Sequence, residues 1–360
     1  MLLIFKPIQR ILNNPSLVAL IFFAASLYIS FYLVGDWLFP VLISVVIAYL
    51  LEAIISKMEK LGMRRIFAVY IVFIIFISVL AYAFFTLWPP LISQARSLIE
   101  NLPKYISLLT HYLNVLPQKF PQFIDQSAVD QTIANLNNSI TLFSSEILSL
   151  KIYSSLVNII SAIVYIILVP ILVFFMLKDK EEILSWLGKF MPNNRSIITE
   201  IWAEVDQQIG NYIRGKFLEI AVIWFMCFVP FKMFSLQYSL LLSLLVGLSV
   251  LIPYIGATVV TIPVLTIAYM QFGAAASFYW IAIIYFIIQI LDGNVIVPII
   301  FSEAVSIHPV GIIVAILVFG GMWGFWGVFF SIPFATVVKA VIEAWRRYEH
   351  PDFQLGMSNT

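Results

Sequence analysis

The sequence predicts an all-α polytopic membrane protein with about eight membrane segments, some broken or hairpin-like, and with amphipathic helical insertions on both sides of the membrane. Composition gives the first indication, because 62% of the residues are hydrophobic and 11% are charged, whereas a soluble domain has about 25% charged residues. The second is a series of apolar runs close to the roughly 20 residues that cross a bilayer as a helix. The third is the helical spacing of apolar residues in the polar stretches between those runs.

Residues 1–90 are predicted to hold the first three membrane spans, with the N-terminus in the cytoplasm. The apolar runs cover 17–34, 37–55 and 66–88. The first run follows basic residues as a signal sequence does, but no small-residue cleavage site comes after it, so we interpret it as an uncleaved span. Positive residues concentrate in short cytoplasmic loops. The loop between the second and third runs is therefore predicted to be cytoplasmic, since it contains Lys57, Lys60, Arg64 and Arg65.

Two polar stretches flank the predicted fourth span at 152–177. Residues 91–151 keep apolar residues at helical spacing, and parity makes them an extracytoplasmic helical insertion. Residues 178–216 are predicted to form cytoplasmic amphipathic helices. Their apolar stripe is Ile198, Ile201, Val205, Ile209 and Ile213. The amphipathic stripes of the extracytoplasmic insertion favour packing within the protein or on the membrane face over ligand binding.

Residues 217–345 are predicted to form a membrane transport core, and 346–360 a cytoplasmic tail. Two long apolar stretches in the core are divided, the first at Pro253 and Gly256 and the second at Gly324 and Gly327. Each divided stretch is predicted to form a hairpin that either dips partway into the bilayer or crosses it twice. Glycines also permit close helix packing, so Gly320, Gly324, Gly327 and Pro333 are candidates for hinge or packing roles.

Breaks in membrane helices persist only where they are buried in protein or line a watery cavity, and broken helices are typical of transport sites. Asp292 and Asn294 follow an apolar run at a place where the helix is expected to end, and Gln289, one turn before Asp292, could share its face. The Asp292 carboxylate could bind a cation or relay a proton. The structural alternative is a helix cap at the cytoplasmic interface.

Other polar or broken positions are weaker pathway candidates. Glu303 and His308 lie in a link between apolar runs, where His308 could titrate near neutral pH or begin a helix with Pro309 in its first turn. Glu219 could face the pathway or pair with Arg214 or Lys216 across one turn. Pro253 and Gly256 are expected to expose backbone groups that could coordinate a cation or a hydroxyl.

Several motifs give the chain a family resemblance. They are IPYIG at 252–256, YIRGK at 212–216, GNVIVPII at 293–300, IHPVGIIVAILVFGG at 307–321 and GFWGVFFSIPFATVVKA at 324–340. With these motifs the chain resembles the autoinducer-2 exporter (AI-2E) family of transporters, also called PerM-type permeases, densely over 160–345 and by layout before that. The resemblance implies a homo-oligomeric integral membrane transporter with both termini inside. It also implies export of autoinducer-2 or antiport of sodium or lithium for protons.

The sequence therefore predicts a permease of the bacterial cytoplasmic membrane that moves a small polar solute or signal molecule, or exchanges sodium for protons. The alternatives are a membrane scaffold or regulatory oligomer and a passive channel. No cofactor, metal site or nucleic-acid partner is expected beyond a coupling ion, because Cys227 is the one cysteine and the three histidines are far apart. No phosphate-binding loop or hydrolase motif indicates an enzyme. The expected partners are membrane lipid, the transported solute or ion, and further copies of the chain.

Overall fold

The computed structural model describes residues 40–119, 125–135 without Ala128, Asn138, 155–189, 196–301 without Tyr254, and 307–339. Within them every regular element is a helix, which confirms the predicted fold class. The elements are α1 (Pro40–Lys60), α2 (Arg65–Lys119), α3 (Ser155–Lys178), α4 (Lys180–Gly188), α5 (Ser196–Met233), α6 (Ser239–Ser249), α7 (Ile255–Phe272), α8 (Ala276–Leu291), a π-helical segment (Asp292–Ile296), α9 (Val297–Phe301), α10 (Pro309–Phe329) and α11 (331–339). The predicted first span, Glu303 and the tail at 346–360 lie outside the described residues.

Four of the described helices are long and apolar enough to cross a membrane. They are α1, the Arg65–Val115 part of α2, α7, and the continuous stretch Ala276–Phe301. Shorter apolar helices occur at Val164–Lys178, Ser239–Ser249 and Val310–Gly324. The chain is therefore a multi-pass membrane protein, as its composition predicts.

Two helices run through boundaries that the sequence predicts between membrane and polar segments. α2 continues from its apolar run into the predicted insertion, with Pro89, Pro90 and Pro103 inside it. α5 joins the predicted cytoplasmic stretch to the next apolar run without a break at 216–217. A proline removes one helical hydrogen bond and bends the helix, but neighbouring groups can satisfy the released carbonyl. A change of polarity along these helices is therefore not a change of element.

The described residues belong to two compact units, each assembled from separate parts of the chain. Unit 1 takes residues from 1–76, 168–219 and 293–360, and unit 2 takes residues from 77–167 and 220–292. The division falls inside α2, α3 and α5, and at Asp292. The sequential division predicted from polarity does not anticipate this interleaving.

Unit 1 has an apolar core where α1, α2 and α3 meet. α1 and α2 are joined by a tight turn in which Gly62 has φ +92°, a left-handed conformation that glycine adopts without strain. The helices that this turn brings together bury a shared set of aliphatic side chains. Its members are Ile55, Ala68, Val69, Val72, Val173 and Leu177.

An ionic cluster fixes the ends of the same three helices. Arg65 at the start of α2 makes a two-pronged contact with Glu52 of α1, with N–O distances of 3.1 and 3.0 Å. The same guanidinium reaches Glu59 at 3.1 Å and donates to the Leu177 carbonyl at the end of α3 at 2.7 Å. Lys180 at the start of α4 also donates to Glu52, with its Nζ 2.9 Å from Oε1. Arg65 of the predicted basic loop therefore also connects α1, α2 and α3.

Unit 2 contains the first divided stretch as a hairpin of α6 and α7, which pack on each other, with α8 packed on α7. α6 has 11 residues, so it is about 16 Å long and too short to cross a hydrocarbon core of about 30 Å. At Gly256 a Cβ would lie 1.8 Å from the Ser249 carbonyl oxygen. Only glycine therefore permits this reversal of the chain.

The second divided stretch, in unit 1, reverses in a similar way. α10 is interrupted at Trp323 and at Gly324, which has φ +59°, and it is followed by α11. A Cβ on Gly327 would lie 1.8 Å from the Phe319 carbonyl oxygen, and one on Gly320 would lie 2.8 Å from Val328 Cγ2. Gly324 therefore lies at the interruption and Gly320 and Gly327 at close approaches, while their roles as hinge and packing residues stay predictions. Pro333 is buried in α11.

Candidate functional site

A chain of hydrogen-bonded polar side chains lies between α7 and α8 of unit 2. Tyr285 of α8 is fully buried. Its hydroxyl accepts a hydrogen bond from Gln289 Nε2 at 2.9 Å and shares a second, also at 2.9 Å, with Thr261 Oγ1 of α7. Thr261 in turn donates to the carbonyl of Ala257 at 2.7 Å. We call Thr261, Tyr285, Gln289 and Asp292 the polar chain.

Asp292 belongs to this group by its position on the helix. Tyr285, Gln289 and Asp292 are spaced four and three residues apart, so they lie on one helical face. The Oδ1 atom of Asp292 is buried. α5 meets α8 at Phe231, whose ring centre lies 6.4 Å from that of Tyr285, and Cys227, four residues before Phe231, is buried. That Gln289 and Asp292 share a face follows from their spacing in the helix and stays a prediction.

The expectation that the helix ends at Asp292 is wrong. α8 passes into the π-helical segment Asp292–Ile296 and continues as α9 to Phe301. Gly293 and Asn294 do not stop the helix. Hydrogen bonds in a π-helix join residues five apart, one more than in an α-helix, so the backbone stays hydrogen-bonded through this segment. A π-helical turn inside an α-helix is rare and is frequent at functional sites. Asn294 lies in this segment with an exposed side chain.

The break between α6 and α7 is more fully paired than expected. The Pro253 carbonyl accepts from the Ile255 amide at 2.7 Å, and the Gly256 amide donates to the Ile252 carbonyl at 2.9 Å. The prediction of exposed, unpaired backbone at Pro253 and Gly256 is therefore wrong, because a tight turn satisfies these groups locally. The carbonyl closest to the polar chain is that of Ala257, one residue beyond Gly256, which also lies 3.5 Å from the Tyr285 hydroxyl.

Glu219 is a buried ion-pair partner in unit 1. Its carboxylate accepts from Lys216 Nζ at 2.8 Å near the middle of α5, and the two side chains are 2% and 6% exposed. The Lys216 ammonium also lies 5.3 Å from the centre of the Phe301 ring. The predicted pairing with Lys216 is confirmed, whereas Arg214 bonds to Asn211 instead.

Of the two roles predicted for His308, the structure shows the start of a helix. It is the N-cap of α10, where its Nδ1 accepts from the Val310 amide at 3.3 Å and Pro309 is at the start of the helix. The side chain is exposed. Glu303 lies outside the described residues, so its place on a pathway stays a prediction.

Sequence reasoning missed three members of this region: Tyr285, Thr261 and Cys227. A tyrosine four residues before Gln289 and seven before Asp292 is a usable signal, because it continues the one-face spacing through an apolar run. Thr261 and Cys227 give no such signal, since only the packing of α5, α7 and α8 brings them together. Among the described residues no group of three or more His, Cys, Asp and Glu side chains is placed to hold a metal ion.

Comparison with known proteins agrees with the membrane fold. A family model described as AI-2E family transporter matches residues 17–347. PerM of Escherichia coli K12, which is named as a permease, is 42% identical over 348 residues, covering 97% of each chain. YrrI and YueF of Bacillus subtilis, both named as transport proteins, are 29% and 27% identical. The matches cover 90% and 84% of this chain and 91% and 82% of theirs.

Proposed function

This chain belongs to the AI-2E transporter family, and from that membership and the geometry of unit 2 we propose that it is an ion-coupled permease in which Asp292 carries the coupling charge. The class of membrane transporter follows from the family. The finer proposal concerns the solute, a small polar or signal molecule such as autoinducer-2, and the coupling ion, a proton or sodium. The proposal also places the chain in the bacterial cytoplasmic membrane as a homo-oligomer with both termini in the cytoplasm.

The observation that supports coupling is the position of Asp292. A carboxylate within a membrane helix is costly and is typically retained for a functional reason. Asp292 has a buried oxygen, begins a π-helical segment, and shares a face with Gln289 and Tyr285. Those two side chains connect through Thr261 to the backbone beside the α6–α7 break.

This arrangement provides a mechanism by linkage. If a proton or sodium ion on Asp292 changes the affinity of the polar chain for solute, the solute must change the affinity of Asp292 for the ion by the same factor. The half-buried Gln289 amide has both donors and an acceptor, so it can bind a hydroxylated solute, and the buried Tyr285 hydroxyl orients that amide through their hydrogen bond. Uphill movement of solute then follows from the ion gradient.

The test is flux in proteoliposomes that contain the purified protein, with autoinducer-2 as the first solute and an imposed proton or sodium gradient. Asp292→Asn should abolish gradient-driven accumulation, because it removes the charge and keeps the shape, while the thermal midpoint in detergent stays within a few degrees of the parent. Glu100→Gln is the matched control. It removes a carboxylate that is 64% exposed on α2 and should leave the flux unchanged.

Two outcomes contradict the proposal. Full accumulation by Asp292→Asn would remove Asp292 from coupling, and flux in the parent protein that only equilibrates the solute would indicate a passive channel. Tyr285→Phe extends the test to the rest of the polar chain. It deletes a hydroxyl that contacts Gln289 and Thr261, so it should weaken solute affinity by up to about ten-fold, since one hydrogen bond contributes about 0.5–1.5 kcal/mol.

A further inference from the structure

Unit 2 also contains a polar cavity of about 270 Å³ beside the turn between α5 and α6. Small-molecule sites have volumes of about 300–1,000 Å³, so this cavity lies just below that range and suits a small group. Its polar wall consists of Asn101, Lys104 and Tyr105 from α2, Gln237 and Tyr238 from the turn, and Gln271 from the end of α7. None of these residues belongs to the polar chain.

The turn that forms one wall is fixed by Gln271. Its Nε2 donates to the Ser235 carbonyl at 2.8 Å, and its Oε1 accepts from the backbone N–H of Gln237 at 2.7 Å. Ser235 and Tyr238 both have positive φ, 55° and 58°, a conformation that non-glycine residues rarely adopt. The turn therefore has a defined shape that the side-chain amide of Gln271 stabilises.

Tyr238 joins that turn to α2. The side chain is 8% exposed, and its hydroxyl donates to the Ser97 carbonyl at 3.3 Å and accepts from Asn101 Nδ2 at 3.2 Å. Tyr105 also reaches the wall, donating to Gln237 Oε1 at 3.2 Å. These bonds hold the cavity open in a fixed geometry, and a fixed site loses less entropy when it binds a ligand.

Two lining residues, Lys104 and Gln237, offer hydrogen-bond donors to a ligand. The Gln237 amide oxygen accepts from Tyr105, while among the described residues its NH₂ group has no hydrogen-bond acceptor. The Lys104 side chain is exposed, and no carboxylate of the described residues lies within 4 Å of its ammonium. No Asp or Glu lines the cavity. Its local charge is therefore positive, with the three donors of an ammonium and the two of an amide.

We propose that this cavity is a binding site for a small anionic group, a carboxylate or a phosphate. Lys104 supplies the charge, and Gln237 Nε2 supplies a directional donor from the turn between α5 and α6. A free solute and the headgroup of an anionic phospholipid share this chemistry. The site does not depend on ion coupling through Asp292, and the test below measures no flux.

The test uses the fact that Cys227 is the one cysteine of the chain and is buried. Met270 lines the same cavity from α7, so Met270→Cys introduces one accessible thiol and retains Lys104 and Gln237. Its rates of modification by a sulfonate-bearing and by a trimethylammonium-bearing methanethiosulfonate are compared, each divided by the rate with free 2-mercaptoethanol. A single positive charge roughly 7 Å away in an aqueous dielectric should favour the anionic reagent by about five-fold or more.

Lys104→Gln in the same background should reduce that preference to about one, because it removes the charge and keeps most of the side chain. Gln237→Cys is a second reporter on the turn and should show the same preference if the first variant does not fold. A preference below about two-fold, or one that Lys104→Gln does not change, would overturn the proposal.

The Met270→Cys variant in nanodiscs tests whether an anion occupies the cavity and whether that anion is a free solute or a lipid headgroup. Inorganic phosphate should slow modification at least two-fold relative to chloride of the same ionic strength in discs of phosphatidylcholine, which indicates a site for a soluble anion. Slow modification in discs of phosphatidylglycerol without phosphate indicates a site for a lipid headgroup. If neither phosphate nor phosphatidylglycerol slows modification, the cavity is not an anion site.

Discussion

The buried pair of Lys216 and Glu219 allows a quantitative prediction about stability. The two side chains are 6% and 2% exposed and 2.8 Å apart, so each charge is almost fully removed from water. Glu219→Gln eliminates the negative charge and leaves a buried ammonium beside the Phe301 ring. Removing one partner of a buried ion pair costs about 3–5 kcal/mol, and we expect a loss of that size.

The double variant Lys216→Met with Glu219→Leu should behave differently. It removes both charges and fills the space with apolar side chains, a change that is often neutral or stabilising by about 1–4 kcal/mol. The single variants Lys216→Met and Glu219→Leu and the double variant form a cycle, and its interaction energy should be about 3 kcal/mol or more, favouring the pair.

The assay is reversible unfolding in dodecyl maltoside micelles with increasing sodium dodecyl sulfate, followed by tryptophan fluorescence. The control is the pair of Arg96 and Glu100, which has a similar distance of 3.2 Å but side chains that are 72% and 64% exposed. Glu100→Gln should change the free energy of unfolding by less than about 0.5 kcal/mol. A cost below about 1 kcal/mol for Glu219→Gln, or a double variant that loses the sum of both single costs, would refute the argument from burial.

Three further predictions concern single contacts. Gly256→Ala should lower the free energy of unfolding by about 1–3 kcal/mol, because its Cβ would lie 1.8 Å from a carbonyl oxygen. The control is Gly321→Ala, which should be neutral in the same unfolding assay because no atom lies within 4 Å of the new Cβ. Arg65→Lys should cost about 1–3 kcal/mol, because an ammonium cannot keep the two-pronged contact with Glu52; an unchanged midpoint would contradict this. His308→Ala should cost about 0.5–1 kcal/mol as a lost N-cap and leave proton-driven flux unaltered, whereas a loss of flux would return His308 to the pathway.

Much of the fold is predictable from sequence because lipid imposes simple rules. Apolar length identifies α7 and the stretch that begins with α8, and the clustering of glycine and proline identifies both chain reversals. Polarity, however, does not define element ends in this chain. α2 and α5 each contain an apolar and a polar stretch within one unbroken helix, because backbone hydrogen bonding is local and does not depend on the solvent outside.

The candidate site is predictable only in part, for a related reason. Asp292 and Gln289 can be found as polar groups in an apolar run, and their shared face follows from helical spacing. The hydrogen bond between Tyr285 and Thr261 joins two helices, and the two residues are 24 positions apart in sequence, so no local pattern encodes the contact. The π-helical turn at Asp292 is equally invisible, since its sequence reads as a helix end.

The interleaving of the two units has a consequence for how the protein is made. Unit 1 acquires its first two parts by residue 219 and its last part only from residue 293. At about 5–20 residues per second the roughly 70 residues between them take about 4–14 s to synthesise. Throughout that interval Lys216 is in the chain and Phe301 is not. Lys216 pairs with Glu219 within a single helix, so the positive charge of Lys216 can be neutralised in the nascent chain as soon as α5 forms.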